Sequence, residues 1–337
     1  MLCKDRINNN RRVPQQVSPC PYHFPPYSRA ESPPLPCPDA GSPTPPAHLF
    51  PMKPSDTEQP ATISADLPEI SAEAFATILK VLKSLRDFNL DIYKDKCIKR
   101  RIAIRIRKTN CSSAAEYGEL LTHDTAEPDH LLKVLTIHVS QFFRNPSTFQ
   151  KLQDDIFPYL FSRCDPARDR LKIWSVGCAG GEEPYSAALI LMEYFADRLA
   201  RGEIAILGTD VDQEVLETAK KGVYREERLL EVLPKIKERW FRATEGKFQL
   251  APEIVNMVTF RRSDLFDTGS FPESDLILCR NVLIYLERSH QEKILNGFAD
   301  ALRSGGVLVL GKAETLVGES RRRFQAICPI ERIYRVV

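Results

Sequence analysis

Much is missing from this chain of 337 residues. No apolar run approaches the roughly 20 residues a membrane helix needs. The opening "MLCKDRINNNRR" lacks the apolar stretch of a secretory signal. Both absences predict a chain without membrane insertion. The nine cysteines (3, 20, 37, 97, 111, 164, 178, 279, 328) are scattered. None falls in a CxxC or Cys/His zinc spacing, so no metal ligands and no disulfide framework are expected. An odd, dispersed set reads as reduced and cytoplasmic. Charge of one sign is also lacking: the net charge is +2, and local patches must carry any electrostatic role. No internal repeat is visible. What remains, 43% hydrophobic and 27% charged residues, is a globular composition long enough for one large domain or two ordinary ones.

Proline is present in excess, but in one place. Fifteen of the 25 prolines lie in the first 60 residues. Proline removes donors and fixes φ, so residues 1–67 are expected to be disordered or extended and polyproline-like. Such a leader reads as a ligand for a partner domain or as a bare tail, with Met52 a candidate initiator.

Helical periodicity begins near Pro68. "SAEAFATILKVLKSL" spaces Phe75, Ile78, Leu79 and Leu82 on one face, with Ser71 as N-cap. In "YKDKCIKRRIAIRIRK", Ile98, Ile102 and Ile106 recur every four residues, and Lys96, Arg100 and Arg107 fall roughly opposite. "SAAEYGELL" and "DHLLKVLTIHV" give two more helices. Residues 68–140 are therefore expected to form a small all-helical domain.

From there to the end, residues 141–337, strands and helices alternate. Short apolar strands are expected at 171–176, 204–210, 258–260, 275–279 and 306–311, with helices between them. That pattern predicts a parallel sheet covered on both faces. "FQAIC" and "RIYRVV", joined at Pro329, should close one edge antiparallel. Residues 223–257 interrupt the alternation. "LLEVLPKIKERWF" reads as helix and "GKFQLAPEIVNMV" as hairpin material, giving a small antiparallel insertion at about 240–258.

The first strand runs into "GCAGGEEPYS". In an open α/β sheet, ligands sit at the carboxyl ends of strands. This turn lacks the lysine of a phosphate loop and does not match the dinucleotide pattern GxGxxG. Glu182 and Glu183 would repel a pyrophosphate at the helix start. The acids suit a ligand without phosphate that carries positive charge and hydroxyls, such as S-adenosylmethionine. Asp210, ending the second strand, is placed to accept from a ribose. Asp264, after the next strand, could face an adenine edge. Each acid alone could equally complement a helix start or a loop. Cys178 and Cys279 border the same crevice, as nucleophiles or as small buried fillers.

"IWSVGCAGGEEPYSAAL", "GTDVDQEVLETAKKGVY", "LILCRNVLIYL" and "VSQFFRNP" resemble the CheR-type chemoreceptor glutamate methyltransferases, in order and spacing, from about residue 70 to the C-terminus. The resemblance implies a Rossmann-like class I methyltransferase sheet, mostly parallel with an antiparallel edge strand, behind a small N-terminal all-helical domain. It implies S-adenosylmethionine as cofactor, with contacts from His138, Ser140, Arg144, Glu183, Asp210, Asp264, Leu265, Asn281 and Val282. At the first two of these positions the family more often carries Asn and Thr. "GKAET" (311–315) departs from the family's Gly-His-Ser-Glu through Lys312.

The implied reaction methylates glutamate side chains of chemotaxis receptors. A carboxylate with an unperturbed pKa of about 4.3 is already ionised, so no general base is required. Arg144 and Tyr285 are expected to orient it; each could instead be structural, Arg144 by pairing with Glu183. Lys96, Arg100 and Arg107 are the expected docking face for acidic receptor helices. No aromatic stripe accompanies them, so nucleic acid is not an expected partner. A monomer is expected. In some relatives the insertion binds a receptor tail peptide; "RATEGKFQLAP" is shorter here, and tail binding is expected to be absent. A non-catalytic relative that only binds the cofactor or docks partners is the competing reading.

Overall fold

The computed structural model describes residues 68–86, 94–135, 140–163, 170–202 and 204–337, all within the unit His48–Val337. The proline-rich leader and His138 lie outside the described residues.

Four helices come first: α1 (Ala72–Arg86), α2 (Asp95–Lys108), α3 (Ala114–His123) and α4 (Glu127–Leu135). Ser71 Oγ accepts from Ala74 N (3.2 Å), as its N-cap position requires. The stripe read on α1 and the isoleucine stripe of α2 meet Tyr117, Leu121, Leu131 and Leu135 in one core. Inside that core Arg105 makes two hydrogen bonds to the buried Glu127, which also accepts from the Tyr117 hydroxyl (2.7 Å). A buried pair of this kind needs such extra partners, because desolvation is costly.

Helices α5 (Pro146–Lys151) and α6 (Phe157–Arg163), joined by a π-helical segment at Leu152–Ile156, precede the sheet. They carry no periodicity long enough to have been read in advance. The sheet elements follow as β1 (Leu171–Val176), α7 (Glu182–Tyr194), α8 (Ala196–Ala200), β2 (Ile204–Asp210) and α9 (Gln213–Lys221). Asp212 caps α9 by accepting from Glu214 N (2.8 Å), and Gly222 ends it at φ 62°.

The insertion begins at once. β3 (Val223–Tyr224), α10 (Pro234–Trp240), β4 (Phe241–Thr244), β5 (Lys247–Leu250) and α11 (Pro252–Val255) form a three-stranded antiparallel sheet ordered β3-β5-β4, with its helices. The small antiparallel sheet starts at β3, inside the 223–257 stretch read as interrupting the alternation and ahead of the 240–258 bounds, because β3 pairs with β5. Two local readings are corrected here. "PEIV" is a helical turn instead of hairpin, since Pro252 opens a helix with no need of its missing N–H. "LLEV" lies ahead of Pro234, where α10 starts.

The chain then completes the main sheet with β6 (Val258–Arg262), β7 (Ser274–Cys279), α12 (Arg288–Ala301), β8 (Leu302–Leu310), β9 (Phe324–Cys328) and β10 (Ile333–Val336). The order is β6-β2-β1-β7-β8-β10-β9. The β2–β6, β1–β2, β1–β7 and β7–β8 pairs are parallel, and β10 runs antiparallel to both neighbours, as expected for that edge. β8 starts four residues earlier than the reading from Gly306. Alternation sorts the strands onto two cores. Ile173, Leu276, Leu278, Val307 and Val309 pack with α7. Trp174, Val176, Ile277, Cys279, Leu308 and Leu310 pack with α12.

At the amino end of the central strands, Glu273 takes Nη2 of Arg303 (2.8 Å) and Nζ of Lys172 (2.8 Å). The Arg303 hydrogen bond, then Lys172, bring its carboxyl down to about 2 from 4.5. A depressed carboxylate stabilises above its unfolded pKa, and the gain is lost as pH falls through the folded one. The side chain is 59% exposed, so solvent screening holds the gain under about 1 kcal/mol. Glu273→Gln should therefore lower urea stability slightly at neutral pH. The gap should shrink from about pH 5 to about pH 2, and in about 1 M salt. A gap that widens on acidification would contradict the assignment.

Candidate functional site

β1 and β7 are neighbours, but the chain leaves β1 toward β2 and leaves β7 toward β8. Their carboxyl ends therefore flank a crevice at the point where strand order reverses. The loop after β1 turns through left-handed residues: Gly177 at φ 62°, Ala179 at 48° and Gly181 at 86°. Gly177 is required twice over, since a Cβ there would lie 2.7 Å from Val282 Cγ2. Val282, from the loop after β7, thus packs on the glycine turn. Asp210 ends β2 and is 8% exposed. Its Oδ2 accepts from Ala179 N (2.9 Å) and its Oδ1 from Asp212 N (3.1 Å). The carboxylate thus braces the loop through both of its oxygens.

The two glutamates divide. Glu182 is 2% exposed, with Oε1 3.6 Å from Nη1 of Arg228 in the insertion. Glu183 Oε1 accepts from Ser175 Oγ (2.8 Å), and Oε2 from Nη1 of Arg280 (3.3 Å). Arg280, buried, also donates through Nη2 to the carbonyl of Arg144 (2.6 Å) and to Asn145 Oδ1 (2.8 Å). Burial pushes the Glu183 carboxyl up and the Arg280 guanidinium down from their ordinary values, and their mutual attraction opposes both shifts. Arg280 is a cationic partner of Glu183.

Asn281 follows at φ 62°, and its Oδ1 is buried with no hydrogen-bond partner among the described residues. An orphaned buried acceptor of this kind invites a ligand donor. Asp264 lies exposed at the lip, with Oδ1 accepting from Phe266 N (2.9 Å). Leu265 packs half-buried against the core under α12. Ser140 is half-buried, and its carbonyl accepts from Arg228. Phe142 and Phe143, both buried, anchor the turn that presents the half-buried Arg144; Phe143 N donates to Ser186 Oγ (2.8 Å).

The helical domain reaches this crevice. Lys94 N donates to Tyr285 O (2.9 Å) and Lys94 Nζ to Ile284 O (2.8 Å). The Arg101 guanidinium lies 5.0 Å from the Tyr285 ring centroid. Lys96, Arg100 and Arg107 are exposed on α2. Burial raises the Cys178 and Cys279 thiols, which favours filler over nucleophile. Lys312 is tied to Glu331 (3.3 Å) and Ser147 Oγ (3.0 Å), joining the C-terminal strands to α5. Among the described residues no cluster of acids, histidines and cysteines could hold a metal ion, and no helix is long and apolar enough to cross a membrane.

Reading the sequence missed Arg280, Lys94 and Arg101. Arg280 had a signal: an arginine directly after the wholly buried strand "SDLILC" must be buried or find an acid.

A seven-stranded sheet in this order, with its binding crevice at the β1/β7 reversal, is the fold of class I S-adenosylmethionine-dependent methyltransferases. Comparison with known proteins narrows the class. Residues 138–330 match the CheR methyltransferase SAM binding domain, and residues 73–136 the CheR methyltransferase all-alpha domain. Chemotaxis protein methyltransferases of Listeria innocua and Listeria monocytogenes are 32% and 33% identical over 74% and 69% of this chain, and over 93% and 87% of their own. An uncharacterized 104.1 kDa protein of Rhodobacter capsulatus is 33% identical over 73% of this chain, which spans only 26% of that protein. The chain belongs to the CheR methyltransferase family, and its cofactor is S-adenosylmethionine.

The buried pair gives a direct test. Arg280→Met strands the Glu183 carboxylate and should cost about 3–5 kcal/mol in denaturant unfolding. Adding Glu183→Gln should recover part of that loss. Losses that simply add would show that the two side chains are not coupled.

Proposed function

We propose that this chain methylates glutamate side-chain carboxylates of chemotaxis receptors, forming methyl esters. The relatives named chemotaxis protein methyltransferases support this reading. The observation that carries it is the orphaned, buried Asn281 Oδ1 in the crevice that the buried Asp210 carboxylate borders. These acceptors fit the amino group and the ribose diol of S-adenosylmethionine. The crevice loop offers no lysine for a phosphate.

In this reading Asp210 accepts from the ribose hydroxyls and Asn281 from the amino group. Glu183, Ser140, Asp264, Leu265 and Val282 complete the lining. When bound, the cofactor supplies an electrophilic methyl on a sulfonium. Arg144 and Tyr285 orient the ionised acceptor, so the chain's contribution is alignment and partial exclusion of water. The Lys312 departure is absorbed by its ties to Glu331 and Ser147, and does not favour a non-catalytic relative.

The outer stripe of α2, with Lys96, Arg100 and Arg107 around the exposed Ile104, is the docking face for acidic receptor helices. The hairpin turns tightly through Glu245 and Gly246, and we assign it no receptor-tail peptide.

Incubation with labelled S-adenosylmethionine and receptor-containing membranes should yield base-labile methyl ester. Cofactor binding without transfer would reduce the protein to a binding module. Asp210→Ala should weaken S-adenosylhomocysteine binding by at least about a hundredfold, with circular dichroism unchanged. Retained affinity would place the ribose elsewhere. Reversing Lys96, Arg100 and Arg107 to glutamate should raise KM for receptor about tenfold or more with kcat nearly kept, and salt should mimic it. An unchanged KM would move docking off α2.

A further inference from the structure

One buried acid takes no part in the site as described. Glu314 is 4% exposed and lies in the turn after β8. Its Oε1 accepts from the backbone N–H groups of Val282 (2.9 Å), Leu283 (2.7 Å) and Ile284 (3.3 Å). Its Oε2 accepts from those of Asn281 (2.9 Å) and Gly311 (2.6 Å). Five backbone donors thus converge on one carboxylate. Consecutive N–H groups that open on one point form a nest, which ordinarily binds an anion from outside. Here the chain fills the nest with its own anion. The fit is tight: a Cβ on Gly311 would lie 2.7 Å from Glu314 Oε2 and 2.8 Å from Asn281 N.

The four consecutive donors belong to residues 281–284, which carry Asn281 and Val282 and lead directly into Tyr285. Asn281 takes the left-handed conformation, which asparagine adopts more readily than other residues with a side chain, and the Glu314 hydrogen bonds fix it there. We propose that Glu314 is the positioning residue of the methyl-transfer site. It fixes the 281–285 turn and keeps the nest closed to anionic ligands. This rests on the reading of Asn281, Val282 and Tyr285 given above.

Two variants test it. Glu314→Gln keeps the shape but turns one acceptor oxygen into an NH2 facing N–H donors. It should bind S-adenosylhomocysteine about tenfold more weakly and lower kcat about a hundredfold, while KM for receptor, set by α2, stays near its wild-type value. Glu314→Ala empties the nest. Sodium formate should then restore S-adenosylhomocysteine binding in a dose-dependent way, with no effect on wild type. Rescue is scored within one variant, so it remains informative if Glu314→Gln fails to fold. Wild-type affinity and turnover in Glu314→Gln, or no formate effect on Glu314→Ala, would overturn the proposal. Wild-type protein that neither binds S-adenosylhomocysteine nor transfers methyl would instead sink the functional reading beneath it.

Discussion

Arg280 holds the crevice together. Its guanidinium sits where burial penalises a charge by several kcal/mol before any partner is counted. The partners come from two separate stretches, Glu183 at the start of α7 and the Arg144 carbonyl and Asn145 side chain before α5, while β7 delivers Arg280 itself. A guanidinium is planar, with donors in a fixed fork, so accepting from it constrains direction as well as distance. The glycine turn, the turn bearing Arg144 and the loop bearing Asn281 are placed relative to one another by this group. Displacing any one of them would leave a charge unpaired in a low-dielectric site.

Helix α2 extends that constraint to the helical domain. Its inner side is locked by Arg105 and Glu127, and Arg101 also donates to the carbonyls of Val134 and Leu135 at the end of α4. The same Arg101 lies over Tyr285. The outer side of the helix presents the basic stripe. A partner resting on that stripe would therefore touch the element that also contacts the crevice. One rigid rod is enough to relate a docking surface to a reacting group, with no conformational change invoked.

The legible parts were those governed by periodicity and by strand-end chemistry. The isoleucines of α2, the alternating strands and the acid closing β2 all stand where their spacing put them. The breaks were less legible. β3 is two residues long and exists through pairing with β5, a contact that no local pattern encodes. Helices α5 and α6 are short and joined by a π-helical segment, so no 3.6-residue pattern runs through them. Arg280 and Glu314 were overlooked for a different reason. Their roles depend on partners more than 25 residues away in the chain, and a charged residue in a motif resembles any solvated one until its burial is known.

The charge of the crevice then follows from its construction. A helix start and a nest of backbone N–H groups are both positive features, and in many α/β proteins they hold phosphate. In this chain each is met from within: Glu182 and Glu183 stand at the start of α7, and Glu314 fills the nest. Arg280 offsets part of that negative charge but is itself committed to Glu183. Among the described residues, the buried oxygen of Asn281 is left as an acceptor without a partner. A site that has consumed its own anion-binding elements is left to recognise donors and positive charge. That is why a glycine turn of phosphate-binding shape can serve a sulfonium cofactor here.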